Sequence, residues 1–130
     1  HFELELSVRD YELDLQGIVN NSVYMNYLEH ARHCFLYERD INFALLHEEG
    51  KDLIVSRAEI DYKHPLKSND RFKVTLSVHR ESHVKIVFDK GIFRIPDNIR
   101  IVNARIVGVC LDQGRPVKPE RILNLEKLGI

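Results

Sequence analysis

What this sequence lacks narrows its function before any motif is read. No apolar run approaches the roughly 20 residues that a helix needs to span a bilayer. Charge of one sign is missing too. Against 20 acidic side chains stand 19 basic ones, so a net charge of −1 draws the chain neither to nucleic acid nor to an anionic membrane. Cysteine is scarce: Cys34 and Cys110 lie in apolar patterns without C-x-x-C spacing. They read as buried free thiols in a reducing compartment, which makes the cytoplasm the expected location. No H-x-x-x-H pair suggests a metal, and the histidines read as scattered and solvent-facing. No repeat, low-complexity tract or linker divides the chain. The first residue is His1 rather than methionine, so residues upstream are expected, and a targeting segment among them stays open.

What is present is an ordinary globular composition. The 130 residues, 44 % hydrophobic and 30 % charged, suffice for one domain, residues 1–130, with its own core. Residues 2–8 alternate, with Phe2, Leu4, Leu6 and Val8 on one side, which predicts a half-buried strand. Residues 10–21 are polar and turn-forming around Gly17 and the pair Asn20-Asn21. From Ser22 to about Tyr37 the period becomes helical, with Val23/Tyr24, Tyr27/Leu28, Ala31 and Cys34/Phe35 on the apolar face. Asn20, Asn21 or Ser22 can cap this helix, and Glu29 and Arg32 can pair at i,i+3. A short second helix is expected over residues 42–49, ending at Gly50.

Strands then follow one another. Residues 54–62 place Ile54, Ser56, Ala58, Ile60 and Tyr62 on one parity, and residues 71–79 alternate cleanly from Phe72 to Val78. Residues 84–95 form another strand, whose parity Lys90-Gly91 disturbs as a bulge would. Residues 100–111 are apolar on both parities, as in a central strand covered on both faces. Residues 119–128 suggest a last short helix. One strand, two helices and four strands joined by hairpin-length links predict an α+β fold with an antiparallel sheet.

The stretch with chemistry in it is residues 14–32. Asp14 precedes a helix start, where unpaired backbone N–H groups and partial positive charge gather. Alone, Asp14 reads as a loop or capping aspartate, Asn20 and Asn21 as caps, and Tyr24 and Tyr27 as core. Together, Asp14-Leu15-Gln16-Gly17-Ile18-Val19-Asn20-Asn21-Ser22-Val23-Tyr24 with Tyr27, Glu29, Ala31 and Arg32 resembles the signature of hotdog-fold acyl-CoA thioesterases. The nearest groups are the 4-hydroxybenzoyl-CoA thioesterase-like and tol-pal-associated enzymes and the plant acyl-lipid thioesterases. The resemblance runs about twenty positions without a gap, and Pro65 and Asp70 also fit it.

The resemblance implies a long central helix packed on a five-stranded antiparallel sheet, and hydrolysis of an acyl thioester on coenzyme A or acyl carrier protein without metal or organic cofactor. It implies Asp14 as general base or nucleophile and the backbone N–H at Asn21 as the group polarising the thioester carbonyl. Gly17, Val19, Asn20 and Tyr24 would meet the substrate, and Glu29 with Arg32 would support the site. The enzyme would be a homodimer or tetramer with the site between protomers, a second copy also covering a sheet edge. Asn21 departs from the tol-pal-associated pattern, which often has histidine there. Asparagine cannot exchange protons near neutral pH, so the aspartate route stands and a histidine route does not. The competing activities are a hydratase or dehydratase on the same fold, which would want a histidine in this loop, and a non-catalytic acyl-thioester binder. Arg57, Lys63 and Lys67 could meet coenzyme A phosphates, although such residues on an exposed strand are usually solvated.

Overall fold

The computed structural model describes residues 1–130. Its elements are strand β1 (Phe2–Ser7), helix α1 (Asn21–Glu38), helix α2 (Phe43–Glu48), strands β2 (Lys51–Tyr62), β3 (Arg71–Arg80), β4 (Lys85–Ile95), β5 (Arg100–Asp112) and β6 (Arg115–Val117), and a terminal turn of helix, α3 (Leu125–Leu128). All pairings are antiparallel, in the order β1-β3-β4-β5-β2. The five long strands are the expected ones. A sixth, β6, pairs with the end of β5 at Cys110–Asp112, beyond the last residue that β4 reaches.

α1 lies on one face of this sheet, 18 residues long, as the resemblance implies. Of the expected apolar face Val23 and Cys34 are only partly buried, while Tyr24, Tyr27, Leu28, Ala31, Phe35 and, beyond the expectation, Leu36 are buried. They meet Phe72, Val74 and Leu76 of β3 and Ile86, Phe88 and Ile92 of β4 in one core. Leu28 is wholly buried, as are the aromatic rings of Phe72 and Phe88. Each such side chain contributes roughly 1.5–3 kcal/mol relative to exposure. β5 is a central strand that buries Val102, Ala104 and Ile106 on the core face, while on the other face Ile101 and Val107 are buried but Asn103 between them is exposed, so the expected cover on both faces is only partial.

Several local expectations are corrected. β2 does not keep one parity, because a bulge at Ser56 shifts its register against β5 between Val55 and Arg57. Leu53 and Val55 therefore face the core before the bulge and Ile60 after it, while Ile54 is exposed. The bulge read at Lys90-Gly91 is absent. Lys90 pairs in register with Ala104 and Gly91 with Asn103, and the irregularity lies at Ile92/Phe93 instead. The apparent parity error arises because Lys90 itself points inward. The last helix is broken into a single 3-10 turn at Pro119–Arg121 and the four residues of α3.

Lys90 is 3 % exposed and donates from Nζ to the carbonyl of Leu28 at 2.8 Å, beneath the middle of α1. Burial, with Arg32 nearby, pushes its pKa down to about 7. Between that value and the ordinary lysine value near 10.4 the unfolded chain binds a proton that the folded chain does not, so this group's contribution to stability rises with pH. Lys90→Met should be more stable than wild type at pH 7. The advantage should shrink by up to about 1.4 kcal/mol per pH unit as pH rises toward 10. Urea denaturation of both proteins at three pH values measures it, and a constant difference would contradict the assignment.

Candidate active site

The loop between β1 and α1 is built from local hydrogen bonds. A 3-10 turn at Asp10–Glu12 is closed by Glu12, whose Oε1 accepts from the Arg9 N–H at 2.8 Å. The same oxygen accepts from the Tyr27 hydroxyl at 2.8 Å, tying the turn to α1. Burial and this carboxylate hold the Tyr27 phenol protonated, its pKa raised well above the usual tyrosine range. Residues 14–18 then form a tight reversal. The Asp14 N–H donates to Ile18 O at 2.8 Å and Gly17 N–H to Asp14 O at 3.1 Å. Gly17 takes φ = +78°, which any larger residue adopts only with strain.

Asp14 is partly buried, and only one of its carboxylate oxygens is engaged. Oδ1 accepts from the Gln16 N–H at 2.8 Å and from the Ile18 N–H at 3.4 Å. Oδ2 makes no hydrogen bond within the chain. After the reversal, Asn20 is the helix cap, its side-chain oxygen accepting from the Ser22 N–H and hydroxyl at 3.1 Å each. Of the three capping candidates it is the one used. Asn21 is the first helical residue, exposed, and its backbone N–H has no partner in the chain. The site thus offers a carboxylate oxygen and an N–H donor at a helix start, both uncommitted, on either side of one turn.

Leu66 joins this loop to the sheet. Its carbonyl accepts from the Val19 N–H at 2.9 Å, and its own N–H donates to the Tyr24 hydroxyl at 3.0 Å. Tyr24 is 2 % exposed and Val19 equally buried. Both were expected at the substrate; both lie in the core and brace the loop from behind. The Tyr62 ring packs on Tyr24 at 5.7 Å and its hydroxyl lies 3.5 Å from Asn21 O. Tyr62 was read from sequence only as a strand residue. Its parity with Ile60 was visible, but its approach to the helix start depends on where β2 ends. Glu29 and Arg32 do not form the expected ion pair: Arg32 has no salt-bridge partner, and its Nη1 is buried without a hydrogen bond. Arg57 pairs with Glu59 at 2.9 Å, while Lys63 and Lys67 are exposed. His33 departs from the solvent-facing reading, since it is partly buried against Phe43 at 5.0 Å.

With that geometry in view, the sequence can be set beside known proteins. A family model described as the thioesterase-like superfamily matches residues 8–123. The chain belongs to this superfamily. It is 42 % identical over 117 residues to the chloroplastic acyl-acyl carrier protein thioesterase ATL3 of Arabidopsis thaliana, a match covering 89 % of this chain and 62 % of that one. It is 27 % identical to the long-chain acyl-CoA thioesterase FadM of Escherichia coli, over 95 % of this chain and 90 % of that one. The crystal structure of a hypothetical protein, AQ1494 of Aquifex aeolicus, superposes with a TM-score of 0.88 at 29 % identity, covering 98 % and 99 % of the two chains. The chain spans about three fifths of the length of the plant relatives it matches.

In this thioesterase-like domain the loop's anchorage should be measurable. Tyr24→Phe leaves the buried Leu66 N–H without an acceptor and should lower the unfolding free energy by about 1–3 kcal/mol. Tyr62→Phe, which removes only a long contact at the surface, should cost under about 0.5 kcal/mol in the same urea titration. Equal effects would show that Tyr24 does not hold the loop.

Proposed function

We propose that this domain hydrolyses acyl thioesters, releasing a free acid and a thiol. The observation that carries the reading is the pairing of two uncommitted groups: Asp14 Oδ2 on one side of the 14–18 turn and the Asn21 N–H at the start of α1 on the other. Thioester hydrolysis needs an attacking oxygen and a donor for the oxyanion. Asp14 serves as general base toward water or as the nucleophile itself, and the Asn21 N–H polarises the carbonyl. A thiolate leaves readily, so the loop's lack of a histidine acid is no obstacle. Asn20 and Gly17 set the backbone that presents these groups. Val19 and Tyr24 act as positioning residues behind it. The superfamily membership and the names of relatives such as the acyl carrier protein thioesterase ATL3 and FadM support the same reading.

The acyl group rides on acyl carrier protein or coenzyme A. The plant relatives' names place them in the chloroplast, so an organellar address stands beside the cytoplasm as a proposed location. No helix is long and apolar enough to cross a membrane.

The working unit is proposed to be a dimer or a dimer of dimers. β2 is an edge strand of 12 residues with Ile54 and Tyr62 exposed along it, and such an edge invites pairing with a second copy. Neither the groove of about 680 Å³ along β1 and α1 nor the cavity of about 250 Å³ near α2 includes Asp14 or Asn21. A second copy on β2 would supply the missing wall beside Asn21.

Asp14→Asn is an incisive test because the asparagine side-chain oxygen can still accept from Gln16 and keep the turn. With a panel of acyl-CoA and acyl carrier protein thioesters and a thiol-reactive dye, this variant should lose roughly 10²–10⁴-fold in turnover while unfolding like wild type. Undiminished turnover would remove Asp14 from the chemistry. Light scattering after size exclusion should give at least twice the chain mass of 15.3 kDa. A lone monomer would overturn the dimeric site.

A further inference from the structure

The turn that carries Asp14 is the tip of a small hairpin. Leu13 bridges Val19, the Asp14 N–H donates to Ile18 O, and the Asn20 N–H donates to Glu12 O at 3.1 Å. One leg, residues 18–20, runs directly into α1 and hangs on Leu66 through the Val19 N–H. The other leg, residues 9–14, carries the carboxylate. A single hydrogen bond joins that leg to the body of α1: the Tyr27 hydroxyl donates to Glu12 Oε1 at 2.8 Å.

Both partners of that bond are held in place. Tyr27 is 5 % exposed, its ring 4.6 Å from that of Phe72 and edge-on to Tyr24. Glu12 is partly buried, and its Oε1 also accepts from the Arg9 N–H at 2.8 Å, which closes the 3-10 turn in the same leg. Two hydrogen bonds on one carboxylate oxygen leave that side chain little freedom. The contact meets α1 six residues past Asn21, roughly 9 Å along the helix. Glu12 and Tyr27 line the groove along β1 and α1, which does not include Asp14 or Asn21. They stand behind those two groups rather than among them.

We infer that Glu12 and Tyr27 are positioning residues, whose bond sets the separation of Asp14 Oδ2 from the Asn21 N–H across the 14–18 turn. The inference rests on the proposed thioester hydrolysis. In that reaction the attacking oxygen and the oxyanion donor sit on different legs of one hairpin, and only the second leg is continuous with the helix. A misplacement of about 1 Å can cost roughly 10²-fold in rate. So short a ladder of backbone bonds cannot hold that distance alone, since an isolated hairpin is marginal in water. The Tyr27 bond passes the rigidity of the buried helix to the leg that carries the carboxylate.

Tyr27→Phe keeps the ring in the core and removes only the hydroxyl. On whichever thioester of the panel the wild type hydrolyses fastest, it should lower kcat by about tenfold or more with KM within about twofold of wild type. Glu12→Ala should do the same, and the double variant should fall no further than either single one. Glu12→Gln, whose amide oxygen still accepts from Tyr27 and Arg9, should keep most of the wild-type kcat. Hydrogen exchange gives a reading that needs no substrate. In Tyr27→Phe the Asn20 N–H should exchange about tenfold faster, while the Val19 N–H, bonded to Leu66, should keep its rate. Wild-type kcat in Tyr27→Phe, or losses that add in the double variant, would overturn the proposal. So would equal acceleration at Val19 and Asn20, which reports general loosening, or a loss in Glu12→Gln as deep as in Glu12→Ala, which would make charge the property that matters. If the wild type turns over no thioester, the hydrolase reading fails by itself, and the exchange ratio still decides whether the bond holds the leg.

Discussion

Leu66 is the residue on which the arrangement of this site depends. Its side chain is wholly buried, its carbonyl takes the Val19 N–H, and its N–H goes to Tyr24. One side of the peptide therefore holds the loop and the other holds the helix. The 14–18 turn has little buried surface of its own to fix it, and the first turn of α1 has only Tyr24 wholly buried. Both inherit their position from a residue that the core cannot release. The segment around Leu66 is fixed in turn by Asp70, whose Oδ2 accepts from the Lys67 N–H at 2.8 Å and whose carbonyl accepts from Val8 at 2.9 Å. The end of β1, the start of β3 and the loop of residues 14–20 are thus parts of one hydrogen-bonded assembly.

The middle of the helix follows a different logic. Two cations, Lys90 and Arg32, lie near one another under and beside α1, and Glu29 is the acid that acts on both. A lysine answers burial by releasing its proton, and a neutral amine can still donate to Leu28 O. An arginine has no such escape. The helix–sheet interface thus keeps one base that burial pushes toward neutrality, at a cost to stability that falls as pH rises, and the other as a standing positive charge. That difference lies in side-chain chemistry rather than position.

The elements read from sequence were those whose apolar spacing was set by a single buried face. α1, β1 and β3 are of that kind, whereas the apolar residues on both parities of β5 overstated its cover, since Asn103 is exposed on the second face. The failures of parity have one cause. At Ser56 and at Lys90 the parity of the chain changes or seems to change, and a one-residue shift looks the same in sequence whether it comes from a bulge or from an inward-pointing polar residue. The bulge was real at Ser56, where none was read, and absent at Lys90, where one was. In the site, the capping asparagine and the turn glycine were legible because their chemistry is local. The burial of Val19 was not, because it is decided by Leu66, more than forty residues along the chain, whereas that of Tyr24 was open from its helical spacing and only its bond to Leu66 was not. The i,i+3 spacing of Glu29 and Arg32 permitted a pair that the side chains do not form in the fold.

These bonds make the 14–24 stretch intolerant of insertion. Asp14 closes on Gln16 and Ile18, Gly17 closes on Asp14, Asn20 reaches back to Glu12 O at 3.1 Å and forward to Ser22, and Val19 and Tyr24 both end on Leu66. Nearly every residue in this span makes a bond whose partner lies a fixed number of positions away. One inserted residue would break the 14–18 reversal, misplace the cap, or pull Val19 out of step with Tyr24 against the same anchor. The carboxylate itself belongs to this constraint, since Oδ1 forms the turn while Oδ2 remains uncommitted. Under the proposed chemistry an aspartate at position 14 has two duties. The turn requires only an acceptor oxygen, which asparagine also has, whereas a base or a nucleophile requires the charge. Selection for the fold alone would accept either residue; the proposed chemistry accepts only the acid.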